Sequence, residues 1–62
     1  MNIEDEKSIA NMLALWSVDF QKTETDAIAY LDRVMALEDE TQRERIVWLI
    51  KEGINKMRGG RE

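Results

Sequence analysis

Apolar side chains return every three or four residues through most of this chain, and three stretches carry that helical period. In the first, Ile9, Leu13, Trp16 and Phe20 follow at spacings of four, three and four, with Met12 alongside. Ala10 and Ala14 sit on one shoulder of the stripe, while Leu15 and Val18 lie off it. This pattern predicts a helix from Ile3 or Glu4 to about Asp19, capped by Asn2, with Glu4, Asp5 and Glu6 suited to its positive end. The helix is apolar over more than half its circumference, wider than a self-sufficient monomer needs.

The second stretch is Ala27, Ile28, Tyr30, Leu31, Val34, Met35 and Leu37, which predicts a helix from Thr25 or Asp26 to about Leu37. Thr23 with Asp26 three residues on imitates a capping box, and Thr25 is a competing cap. The third stretch runs from Thr41 to Met57, with Ile46, Ile50, Ile54 and Met57 as its stripe. Thr41 and Glu44 have capping-box spacing, and the acidic run Glu38-Asp39-Glu40 reads as the connection before it. Lys56 and Arg58 suit the negative end of this helix, and Gly59-Gly60 is expected to end it. Gly53 falls inside the helix on the core side. Either a close approach by another helix, at Trp16 or Phe20 for instance, compensates its intrinsic cost of about 1 kcal/mol, or the glycine is tolerated near a fraying helix end.

Trp48 breaks this sorting. At roughly 100° per residue it projects about 160° away from the middle of the third stripe. Its neighbours one turn away are Glu44, Arg45, Lys51 and Glu52. A large ring among charges marks a surface that meets another molecule. The competing reading folds Trp48 over the bundle edge, beneath an N-terminal arm containing Ile3. Val47 and Leu49 flank the indole, so the third helix is apolar on two sides, and Leu15 and Val18 do the same for the first.

The chain has 62 residues, room for one small domain with a marginal core. A helical domain is expected over residues 1–58 and a flexible tail over 59–62. The short connections predict antiparallel neighbours, so the expected fold is all-α: a three-helix bundle, or an open three-helix unit completed by dimerisation. Cysteine and histidine are both absent, which removes disulfides, thiolate sites and the commonest metal ligand and general base. The spacing of a calcium loop and a glycine-rich phosphate loop are missing too. Met1 to Lys7 is acidic, without the basic-then-apolar layout of a signal peptide, and no apolar run reaches membrane-spanning length. A cytoplasmic protein is expected, with no metal, no cofactor and no membrane partner.

Catalysis lacks an inventory. Ser8, Ser17, Thr23, Thr25 and Thr41 have no histidine to activate them, and Asp19, near Trp16 and Phe20, is the one acid with an apolar surround. The chain is read as a non-enzyme. Its net charge of −4 is uneven: residues 1–42 carry three basic residues against ten acids, a net of −7, and residues 43–62 carry six against three, a net of +3. The basic third helix supports a nucleic-acid-associated protein as the alternative, but its cations are spread around the helix and the overall balance is acidic. The first expectation is therefore a protein-interaction module, an adaptor, inhibitor or regulator of a larger protein, and homodimeric. Its binding residues are Trp48 with Arg45, Lys51 and Glu52 around it. Leu49, Leu15 and Val18 join if the contact is self-association.

Overall fold

Side-chain oxygens fix where each helix begins. In the computed structural model, which describes residues 2–59, Asn2 Oδ1 accepts from the Asp5 amide at 2.9 Å and opens α1 (Ile3–Asp19), as its sequence predicts. Thr23 opens α2 (Glu24–Met35) through a complete capping box. Its Oγ1 accepts from the Asp26 amide at 3.1 Å, and Asp26 Oδ2 accepts from the Thr23 amide at 3.0 Å. Two satisfied amides settle the contest with Thr25, so α2 starts one to two residues earlier than expected. Before α3 (Glu40–Gly59), Asp39 Oδ1 accepts from the amides of Thr41 at 3.0 Å and Gln42 at 3.3 Å. The expected cap at Thr41 is thus corrected: Thr41 is already helical. A carboxylate at the positive end of a helix is a stronger acceptor than a neutral hydroxyl.

Helix ends had to be made without glycine, since none occurs before Gly53. Gln21 (φ 57°) and Ala36 (φ 48°) take the left-handed conformation instead. After α1, the Gln21 amide donates to the Val18 carbonyl at 3.3 Å and the Lys22 amide to the Ser17 carbonyl at 2.7 Å, a Schellman closure on a residue with a side chain. The left-handed Ala36 stops α2 at Met35, short of the expected Leu37. Arg58 Nη2 reaches the end of α1 and the turn after it, donating to the carbonyls of Ser17 at 3.2 Å and Lys22 at 2.6 Å, while Ser17 Oγ donates to the Thr23 carbonyl at 3.3 Å. Gly59 is the last residue of α3; the rest of the expected tail, residues 60–62, lies outside the described residues.

All three helix pairs are in contact, with α1 lying chiefly on α3, so the fold is a three-helix bundle. Its core is Ala10, Leu13, Ala14, Ala27, Leu31, Ile46, Ile50 and Ile54. The third stripe is therefore seated as expected except for Met57, which stays partly exposed near the helix end. The first is not. The buried line of α1 is Glu6, Ala10, Leu13, Ala14 and Ser17, rotated away from the expected Ile9, Leu13, Trp16 and Phe20. Ile9 and Trp16 end half-buried, and Met12 and Phe20 are about two-thirds exposed, at 66% and 65%.

The cause is the distance between backbones. A Cβ placed on Gly53 would come within 2.9 Å of the Ala14 Cβ, so α1 turns its small residues toward α3 and the two helices close on one another. Gly53 does mark a close approach, but by Ala14 rather than by Trp16 or Phe20. On the other side, Arg43 of α3 pairs with Asp32 of α2 through Nε–Oδ1 at 2.7 Å and Nη2–Oδ2 at 2.9 Å. No helix among the described residues is long and apolar enough to cross a membrane.

Two stability measurements test this packing. Gly53→Ala should destabilise the fold by about 1–2 kcal/mol in denaturant unfolding, because overpacking outweighs the gain in helix propensity. Adding Ala14→Gly should recover most of that loss. Gln21→Gly should stabilise by about 0.5–1 kcal/mol in the same assay, since glycine takes the left-handed conformation without the Cβ penalty.

Candidate interaction site

Ile46, Ile50 and Ile54 face inward on every fourth position, which leaves Trp48 on the far side of α3, where its side chain is 60% exposed. Ile3 does not cover it. Ile3 is the first helical residue of α1, is itself exposed, and stands as the opposite wall of a groove. That groove holds about 350 Å³ between Ile3, Glu6 and Lys7 on α1 and Glu44, Arg45, Trp48 and Leu49 on α3. Its lining is almost entirely carbon surface, with charged groups at the rim. Lys7 and Leu49 also border a shallower extension lined by Asn11, Glu52, Gly53 and Lys56.

Beneath the groove, Glu6 is buried, with only 1% of its surface exposed. Its carboxylate is held in a fork by Arg45, Nε to Oε1 at 3.0 Å and Nη2 to Oε2 at 2.8 Å, and Gln42 Nε2 donates to Oε2 at 3.3 Å. The Arg45 hydrogen bonds hold the Glu6 carboxyl below its ordinary value of 4.5; burial opposes this, and Gln42 adds to it. In return, Glu6 raises the Arg45 guanidinium. The half-exposed Arg45 thus spans from a buried anion to the groove's edge, beside the indole. Asp32 is lowered by its bond from Arg43, and Asp26 by its bonds with Thr23. Every buried side-chain nitrogen or oxygen among the described residues has a hydrogen-bond partner. No group of three or more metal-ligating side chains among them could hold an ion.

The structure gathers some of the sequence-derived site residues and disperses others. Trp48, Arg45 and Leu49 line the groove together, and Glu52 lines its extension. Lys51 is exposed one turn from Trp48 but lines neither. Val18 is half-buried and packs on the core, whereas Leu15 is exposed; neither borders the groove. Ile3, Glu6 and Lys7 were not among the expected site residues. Glu6 had a signal, because it extends the small-residue line Ala10, Ala14 and Ser17 at helical spacing. A second open apolar region, around Met12, Tyr30 and Val34, also went unforeseen because those positions read as core.

The lowered Glu6 carboxyl gives a pH signature. A carboxylate with a depressed folded-state pKa contributes stability above its unfolded value, and that contribution fades as pH falls through the folded value. Glu6→Gln is therefore expected to lower Tm at neutral pH, with the gap to wild type narrowing as pH falls below 4.5 in parallel thermal melts.

No family model matches this chain, and comparison with curated proteins and with solved structures likewise finds no match.

Proposed function

We propose that this chain is a small non-enzymatic protein-interaction module, an adaptor, inhibitor or regulator of a larger protein, and that it is cytoplasmic and homodimeric. Its docking site for the larger protein is the α1/α3 groove, with Trp48 as the anchor. The observation that carries this reading is how the large apolar side chains are distributed. The core holds five of them: Leu13, Leu31, Ile46, Ile50 and Ile54. Among the described residues eight stand exposed, Ile3, Met12, Leu15, Phe20, Tyr30, Val34, Trp48 and Met57, while Ile9, Trp16, Val18, Met35, Leu37, Val47 and Leu49 pack half-buried on the core. Eight large apolar groups left exposed on a domain of this size are surface to bury against other molecules.

Among those groups, Trp48 sits beside a carbon-lined groove whose rim carries Lys7, Glu44 and Arg45, with Lys51 and Glu52 nearby on α3. An aromatic anchor beside a pocket, ringed by charges of both signs, is the composition of a protein-binding hot spot. The alternative, binding of nucleic acid by the third helix, has less support. Arg43 and Arg45 are each committed to a carboxylate in the same chain, and Arg58 donates to α1 carbonyls. Those contacts engage three of the segment's six cations within the chain, which weakens the case for a phosphate-binding face.

The test is a tagged pull-down from the native cells, with wild type and Trp48→Ala compared with and without nuclease. A protein partner retained by wild type, resistant to nuclease and lost with Trp48→Ala is the expected result. Truncating an anchor of this size should weaken the purified complex by about 30-fold or more, while leaving helicity by circular dichroism unchanged. Nuclease-sensitive capture, or equal capture by the variant, would overturn the reading.

A further inference from the structure

We propose that the outer face of α2 is the surface on which two copies of this chain associate, packing α2 against α2 antiparallel about a twofold axis between Ala29 and Tyr30. The proposal gives a location to the homodimer proposed above and is independent of the Trp48 groove.

Two shallow depressions meet at Tyr30. One, between α1 and α2, is bordered only by apolar residues and tyrosine, with Met12 and Val34 standing out at its edge. The other is lined by Trp16, Lys22, Asp26, Ala29, Tyr30 and Arg33. The Trp16 and Tyr30 rings lie 5.0 Å apart, and the Arg33 guanidinium sits 5.8 Å from the Tyr30 ring centre. The region is thus an apolar and aromatic surface with Asp26 and Arg33 on its outer side and Lys22 close to Asp26.

The spacing of Asp26 and Arg33 makes the surface self-complementary. Asp26, Tyr30 and Arg33 follow at four and three residues, so they share one face of α2. Asp26 and Arg33 lie about 10 Å apart along the helix, equally far from the midpoint between Ala29 and Tyr30. An antiparallel twofold at that midpoint sets each Asp26 opposite the Arg33 of the other copy, two pairs per dimer. Tyr30 stands at the centre of that face, where the two copies of its ring would meet across the axis. Arg33 lies over the Tyr30 ring and Asp26 closes the α2 capping box, but neither is taken up in an ion pair within the described residues, where the pairs are Arg43–Asp32 and Arg45–Glu6.

Charge also chooses the register. Residues 1–42 carry a net of −7, so two copies pressed together at random through this half would repel. The Asp26–Arg33 register instead matches each acid with a base, and an isologous contact of this kind closes at two copies.

Sedimentation equilibrium from micromolar to millimolar concentration tests the proposal on the full chain. Wild type is expected to dimerise, and Trp48→Ala to dimerise equally well. Arg33→Glu should weaken the dimer by about tenfold or more, because it breaks both pairs. Val34→Lys should weaken it further. Arg33 and Val34 are exposed, so both variants should keep wild-type helicity. A wild type that stays monomeric throughout would overturn the proposal, as would Arg33→Glu and Val34→Lys dimerising like wild type. Loss of the dimer in Trp48→Ala but not in Val34→Lys would also overturn it and move self-association to the α1/α3 groove.

Discussion

The contact between Ala14 and Gly53 governs how the rest of the molecule is arranged. With no room for a Cβ at Gly53, α1 and α3 approach at backbone distance, and only small groups fit between them. Ala10, Ala14 and Ser17 fill that seam and are all buried. A core closed by small residues has little space for large ones. Met12, Trp16 and Phe20, which share α1 with the seam, are pushed to its flanks or to solvent. The exposed apolar surface therefore follows from the packing geometry rather than from an excess of apolar residues alone.

Polar contacts across the same seam refine this arrangement. Glu6 continues the small-residue line of α1 and would be an uncompensated buried charge without the Arg45 fork and the Gln42 amide. The pairing fixes the N-terminal end of α1 against α3, while Arg58 fixes the other end by binding the carbonyls around the α1–α2 turn. Arg43 with Asp32 does the same between α3 and α2. Three arginines from one helix thus hold the other two, and two of them, bases of the +3 half, pair with acids of the −7 half.

Much of the fold was legible in the sequence, for identifiable reasons. Helical period located all three helices, and Ile46, Ile50, Ile54 and the outward Trp48 were placed correctly because α3 is regular and its stripe is narrow. The phase of α1 was misjudged because large apolar residues look like core. Nothing in a single sequence weighs an alanine seam against a tryptophan stripe until the partner glycine is known to face it. The helix boundaries erred where two caps competed, at Thr23 against Thr25 and at Asp39 against Thr41, and where Ala36 ended a helix in a conformation usually taken by glycine. Of the candidate site, Trp48, Arg45 and Leu49 were readable from one helix. Ile3, Glu6 and Lys7 were not, because they join the groove only through packing of a distant helix.

What remains decisive is whether the α1/α3 seam truly leaves the third-helix indole outside its own domain. Fluorescence of Trp16→Phe protein, in which Trp48 is the single indole, measures this directly at dilutions where any dimer has dissociated. The expected result is emission close to that of tryptophan free in water, quenched by acrylamide almost as readily. Blue-shifted emission protected from the quencher would mean that the chain encloses its own Trp48, and the packing described here would be contradicted.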